Sequence, residues 1–96
     1  GELMMNEKQT EELVVTLKRP VKDPDTRTEF RELRLKEPVL FQAEDFHRNT
    51  ASLGAMAAMR ELIAAVAGVP SAPLKFMAVS DYKKCERFLT GFFLEA

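Results

Sequence analysis

Tryptophan is absent from this 96-residue chain, and cysteine, histidine and tyrosine occur once each. The lone cysteine, Cys85, excludes an intramolecular disulfide framework and any cysteine-based zinc site. The lone histidine, His47, has no second histidine or cysteine near it in sequence. Four glycines, at positions 1, 54, 68 and 91, are too scattered to cradle a phosphate. No apolar run approaches the roughly 18 residues that span a bilayer. The opening Gly1-Glu2-Leu3-Met4-Met5 lacks the basic-then-apolar order of a secretory signal. With a single cysteine, a reducing cytoplasm is the expected setting. Charge of neither sign dominates: 14 lysines and arginines against 15 aspartates and glutamates leave a net charge of −1. That balance disfavours a dedicated nucleic-acid binder, which carries a basic excess on one face. No reaction centre is recognisable, and the expected role is non-enzymatic, without cofactor or metal.

Apolar residues make up 46% of the chain and charged residues 30%, which suits a folded domain with one modest core. Residues 1–10 are polar and aperiodic and read as a flexible terminus; residues 11–96 read as a single α+β domain. Within it, Leu35-Lys36-Glu37-Pro38-Val39 separates two periods. Before it, Leu13, Val15 and Leu17 alternate with Val14, Thr16 and Lys18, as do Leu33 and Leu35 with Glu32, Arg34 and Lys36. Asp23-Pro24-Asp25-Thr26 lies between them as a turn cluster. The spacing predicts an antiparallel hairpin over 12–37, with the first strand near its end at Arg19-Pro20. Phe30 falls on the polar side of the count, so it marks a bulge or covers the opposite face. Two strands alone are marginal in water, and their leucine face needs a cover.

That cover is expected from three to four short helices over 40–95. Phe41 to Phe46 suits a first helix, with both phenylalanines packing inward. Ser52 is placed to cap a second helix that ends at Gly68, with Met56, Met59, Ile63 and Val66 on its inner stripe and Leu62 at the margin. Pro73 suits a short helical turn. Ser80 would then cap a last helix, with Asp81 near its positive end and Tyr82, Cys85, Phe88, Leu89, Phe92 and Phe93 on one apolar stripe. Gly91 inside that helix weakens it by about 1 kcal/mol relative to alanine.

Chemistry-bearing residues are few. Glu44 and His47 could face each other on a helix, but two ligands make a poor metal site, and a solvated face is the simpler reading. Cys85 on an apolar stripe reads as a buried, inert thiol. Lys83, Lys84 and Arg87 form a small basic strip without interleaved aromatics. Met56 and Met59 could be core filler or an adaptable apolar surface beside small alanines. Phe92-Phe93-Leu94 is the most suggestive surface, because one helix face cannot bury three large apolar residues in a row.

From Leu13 to Phe93 the chain resembles the small tail assembly chaperones of contractile-tailed phages, Mu-like phages and related prophages among them. The resemblance is carried by Val15-Thr16-Leu17-Lys18-Arg19-Pro20-Val21, by Glu32-Leu33-Arg34-Leu35-Lys36-Glu37-Pro38, by Ala67-Gly68-Val69-Pro70, and by Ser80-Asp81-Tyr82 with Phe88-Leu89 and Phe92-Phe93. Two departures stand out. The family continues glu-pro with threonine, a helix cap that Val39 cannot supply. Its hairpin tip often carries glycine, where this chain has Asp-Pro-Asp-Thr.

The resemblance implies a protein that coats the long, apolar tape-measure protein in the host bacterial cytoplasm, keeps it soluble until the tail tube assembles, and is absent from the mature virion. It also implies a longer frameshifted form that recruits the tail tube protein. On this reading Met56, Met59, Phe88, Leu89, Phe92, Phe93 and Leu94 form the surface for the client or for self-association. The hairpin serves as scaffold or pairs edge to edge with another copy. No membrane partner is expected. Two alternatives remain: a nucleic-acid-binding regulatory module using Lys83, Lys84 and Arg87, or a structural tail or baseplate subunit.

Overall fold

Period-two alternation builds the expected hairpin. The computed structural model describes residues 11–94, with the backbone alone at Leu94; the flexible terminus expected over 1–10 lies outside the described residues. Strands β1 (Glu12–Lys22) and β2 (Glu29–Lys36) pair antiparallel as a two-stranded sheet. Leu13 opposite Leu35 and Val15 opposite Leu33 supply the inner face, while Glu12 opposite Lys36 and Thr16 opposite Glu32 face outward. Arg31 with Glu29, and Arg34 with Glu32, form ion pairs on exposed side chains of β2.

β1 does not stop near Pro20. It continues to Lys22 through a bulge: between the pairs Thr16–Glu32 and Val21–Phe30, four residues of β1 stand against one of β2. The odd offset reverses the inward–outward parity of β2, which brings Phe30 opposite buried Val21 and against the core. Pro20, lacking an N–H, sits within the bulge, where no ladder bond is required of it. At the tip, the Asp23 carboxylate accepts the Asp25 N–H at 3.0 Å and the Thr26 hydroxyl at 3.2 Å. Arg27 closes the loop with φ of 62°, a left-handed conformation that glycine would adopt without strain.

Helix α1 (Leu40–Leu53) runs past Ser52, whose hydroxyl donates to the Arg48 carbonyl instead of capping anything. The boundary is Gly54, at φ of 91°, which ends α1 and starts α2 (Ala55–Ala67). At the start of α1, Gln42 Oε1 accepts the Val39 N–H at 3.0 Å, but the valine side chain returns no bond, so only half of a capping box forms. Gly68 ends α2 in a left-handed conformation, with its own N–H and that of Val69 bonded to the Ala64 carbonyl. A short 3₁₀ turn (Ala72–Phe76) opens with Pro73 near its start, and α3 (Val79–Leu94) follows. Ser80 lies inside the first turn of α3, and the Ala78 carbonyl takes the Asp81 and Tyr82 N–H groups.

The core lies between the sheet and the pair α2–α3. Val15, Leu17, Val21, Leu33 and Leu35 meet Met59, Leu62 and Ile63 of α2, Leu74, and Tyr82, Cys85 and Leu89 of α3. The buried stripe of α2 is thus Ala58, Met59, Leu62, Ile63 and Ala64, rotated from the expected one; Leu62 is core and Met56 is not. α1 packs on α2 as an outer layer and buries none of its residues fully. Phe46 reaches the core margin, but Phe41 is 62% exposed and does not pack inward. No described helix is long and apolar enough to cross a membrane.

Candidate protein-binding surface

Residues that the core rejects define the surface. Met56 on α2, Phe76 at the end of the 3₁₀ turn and Val79 at the start of α3 are 62%, 74% and 66% exposed. Met56 and Val79 line one groove, together with Arg60, Leu74, Lys75, Met77 and Tyr82, enclosing about 150 Å³. Phe76 sits in the chain between Lys75 and Met77, both of which line it. Arg60 reaches Glu61 through one guanidinium nitrogen at 3.5 Å, while its buried Nε has no hydrogen-bond partner. The groove therefore offers apolar walls with two cations and adaptable thioethers.

The residues picked out from sequence divide. Met59 and Leu89 are core and present no surface. Phe88 and Phe92 are half-buried and meet edge to face, with ring centroids 5.2 Å apart. Phe93 stacks on Phe46 at 5.6 Å and so ties the end of α3 to α1. Alanine at Phe93 would thus remove packing between helices as well as surface. The backbone of Leu94 ends α3, and its side chain lies outside the described set. Sequence reasoning missed Phe76 and Val79, although a large apolar residue beside Lys75 in so short a turn was the available signal. It also placed Phe41 inside, where Val39, Leu40 and Phe41 form a second exposed apolar run at the start of α1.

His47 is exposed, and its ring lies near those of Phe46 and Phe93, at 5.9 and 6.3 Å. Among the described residues no three His, Cys, Asp or Glu side chains are grouped to hold a metal. In the basic strip, Lys83 pairs with Glu86 at 3.5 Å and Lys84 stands 4.0 Å from Asp81, so two of its three charges have acidic neighbours.

Cys85 is buried in the core, and burial, reinforced by the Asp81 carboxylate, pushes its thiol up from 9.0 to about 11. The folded state thus favours the protonated thiol. The stability this contributes is complete below the unfolded thiol's value and is lost as pH rises from about 9 toward 11. Native protein is expected to react with a thiol reagent at pH 8 only at its global opening rate, and at full speed in denaturant.

A family model described as phage tail assembly chaperone proteins, E, or 41 or 14, matches residues 14–94. The chain belongs to this family. The match takes in β1 from Val14 onward, β2 and all three helices of the chaperone, and with them the bulge and the groove. No curated protein and no solved structure matches it.

Proposed function

We propose that this tail assembly chaperone acts without catalysis, by binding the apolar tape-measure protein of its phage in the host cytoplasm and keeping it soluble until the tail tube forms. On this reading it leaves before the virion is complete, and the α2–α3 groove holds the client. The exposure of Met56, Phe76 and Val79 around that groove carries the reading: large apolar side chains left in water beside a concave site favour an apolar partner. A long client needs many modest, reversible contacts, which a shallow, methionine-containing groove on each of several chaperone copies can supply. The tail tube protein would meet this chain only through a longer, frameshifted form.

Co-expression with the tape-measure protein tests this, scored by client solubility and co-purification. Wild type is expected to hold the client in solution. Met56→Asp combined with Val79→Asp is expected to weaken retention at least about tenfold, since each substitution puts a charge where apolar contact is required. Both positions are exposed, so the variant's circular dichroism should match wild type. Retention unchanged by the double variant would remove the groove from the reading. An insoluble client with wild type would remove client binding itself and favour a structural tail subunit.

A further inference from the structure

The two halves of the outer edge of β1 are treated differently. Around Leu17 to Pro20 the edge is blunted three times over. The strand bulges there, Pro20 has no N–H, and the Lys18 N–H is taken by the buried Asp81 carboxylate at 2.7 Å. From Glu12 to Thr16 none of these devices is present. The pairing with β2 is regular, and β2 is the only strand beside β1 among the described residues. Alternate residues of this stretch therefore turn their N–H and C=O groups away from β2. Beneath that open edge runs a groove of about 380 Å³, lined by Leu13 to Thr16 on one side and by Lys84, Arg87 and Phe88 of α3 on the other. Val14, 44% exposed, marks the opposite face of the same stretch.

We infer that the Glu12–Thr16 edge accepts an extended strand from a partner protein, with acidic side chains of that strand directed at Lys84 and Arg87. A third strand would lie over α3, with its inward side chains between the two cations and Phe88 and its outward ones beside Val14. Main-chain bonds to the edge supply affinity without sequence preference, and the two cations select for acid. An isologous pair of hairpins fits less well. It would bring a second α3 against the first on the same side of the sheet, with Lys84 and Arg87 opposing their own copies. The inference does not depend on the α2–α3 groove, which is lined by different residues.

The probe is a blocked hexapeptide alternating valine and glutamate, titrated into the ¹⁵N-labelled full chain. Amide shifts are expected at 12–16 and 84–88. The valine–lysine counterpart should bind at least about tenfold more weakly. A version N-methylated at alternate residues, unable to donate to the edge, should not shift these amides. In Arg87→Glu, at an exposed position away from Asp81, the preference for the glutamate peptide should be lost, with the rest of the spectrum reporting an intact fold. No shifts at millimolar glutamate peptide, shifts confined to other surfaces, or equal binding of the lysine or N-methylated peptide would overturn the inference.

Discussion

Leu89→Ala is expected to lower unfolding free energy by about 3 kcal/mol, and by as much as about 5 kcal/mol if the site cannot collapse. Leu89 has no exposed surface and belongs to the cluster in which α3 closes the inner face of the hairpin. Removing its isopropyl group takes away both most of the transfer free energy of a buried leucine and the contacts of the side chains around it. In a domain of this size the total is of order 5–15 kcal/mol, so the loss is a large fraction of it. The melting temperature should fall by roughly 12 °C or more, at about 4–8 °C per kcal/mol. Met56→Ala, on the same surface by sequence reasoning but exposed in the fold, should stay within about 0.5 kcal/mol of wild type. Urea unfolding of the two variants separates a core residue from a displayed one. If Leu89→Ala proves neutral, α3 does not sit on the hairpin as described. If Met56→Ala costs as much as Leu89→Ala, Met56 is core and the groove does not exist.

That contrast also shows how far the sequence could be read. Alternation placed Val15, Leu17, Leu33 and Leu35 on the inner face because a strand has one period and two faces, and the count leaves no freedom. The odd residue in that count, Phe30, left a bulge and a cover for the opposite face equally open, and the register break in β1 decides for the bulge. Helix α2 was harder to read. Alanines occupy six of its thirteen positions and carry almost no directional signal, so the stripe could rotate from Met56 to Leu62 without violating the pattern.

Ser52 and Ser80 looked like caps because serine favours that position, yet Gly54 and the Ala78 carbonyl take those roles. A cap is decided by where the chain must turn, which depends on tertiary packing. Val39 illustrates the reverse case. Its inability to cap was legible, and the structure leaves that helix end with half a capping box and three exposed apolar residues beside it. The surface itself was the least legible part. Exposure of Phe76 or burial of Met59 depends on how α2, the 3₁₀ turn and α3 converge, and no local pattern encodes that convergence.

Asp81→Ala is expected to destabilise the chain by about 2–3 kcal/mol, an effect out of proportion to one residue in the first turn of a helix. A carboxylate at that place normally interacts with the helix dipole from solvent and contributes a few tenths of a kcal/mol to about 1 kcal/mol. Asp81 instead is fully buried, and its Oδ2 accepts the Lys18 N–H at 2.7 Å, joining α3 to the bulge in β1 across 63 positions of sequence. Alanine leaves that part-buried N–H without its acceptor, so the loss includes part of the donor's desolvation as well as the bond.

Asn should behave differently. Asp81→Asn keeps an oxygen for Lys18 and removes a buried charge whose second oxygen has no hydrogen bond and only Lys84, at 4.0 Å, for company. Relief of that desolvated charge offsets part of the loss, and the asparagine variant should fall by less than half as much as the alanine one. Hydrogen exchange locates the effect: the Lys18 amide should lose protection in Asp81→Ala and keep most of it in Asp81→Asn. The asparagine variant should also bring the Cys85 thiol down from about 11 without returning it to 9.0, because burial is the larger cause of its shift and the Asp81 charge the smaller. Equal destabilisation by both substitutions, with Lys18 still protected, would mean that the carboxylate acts through its charge alone and that the bulge is held by packing.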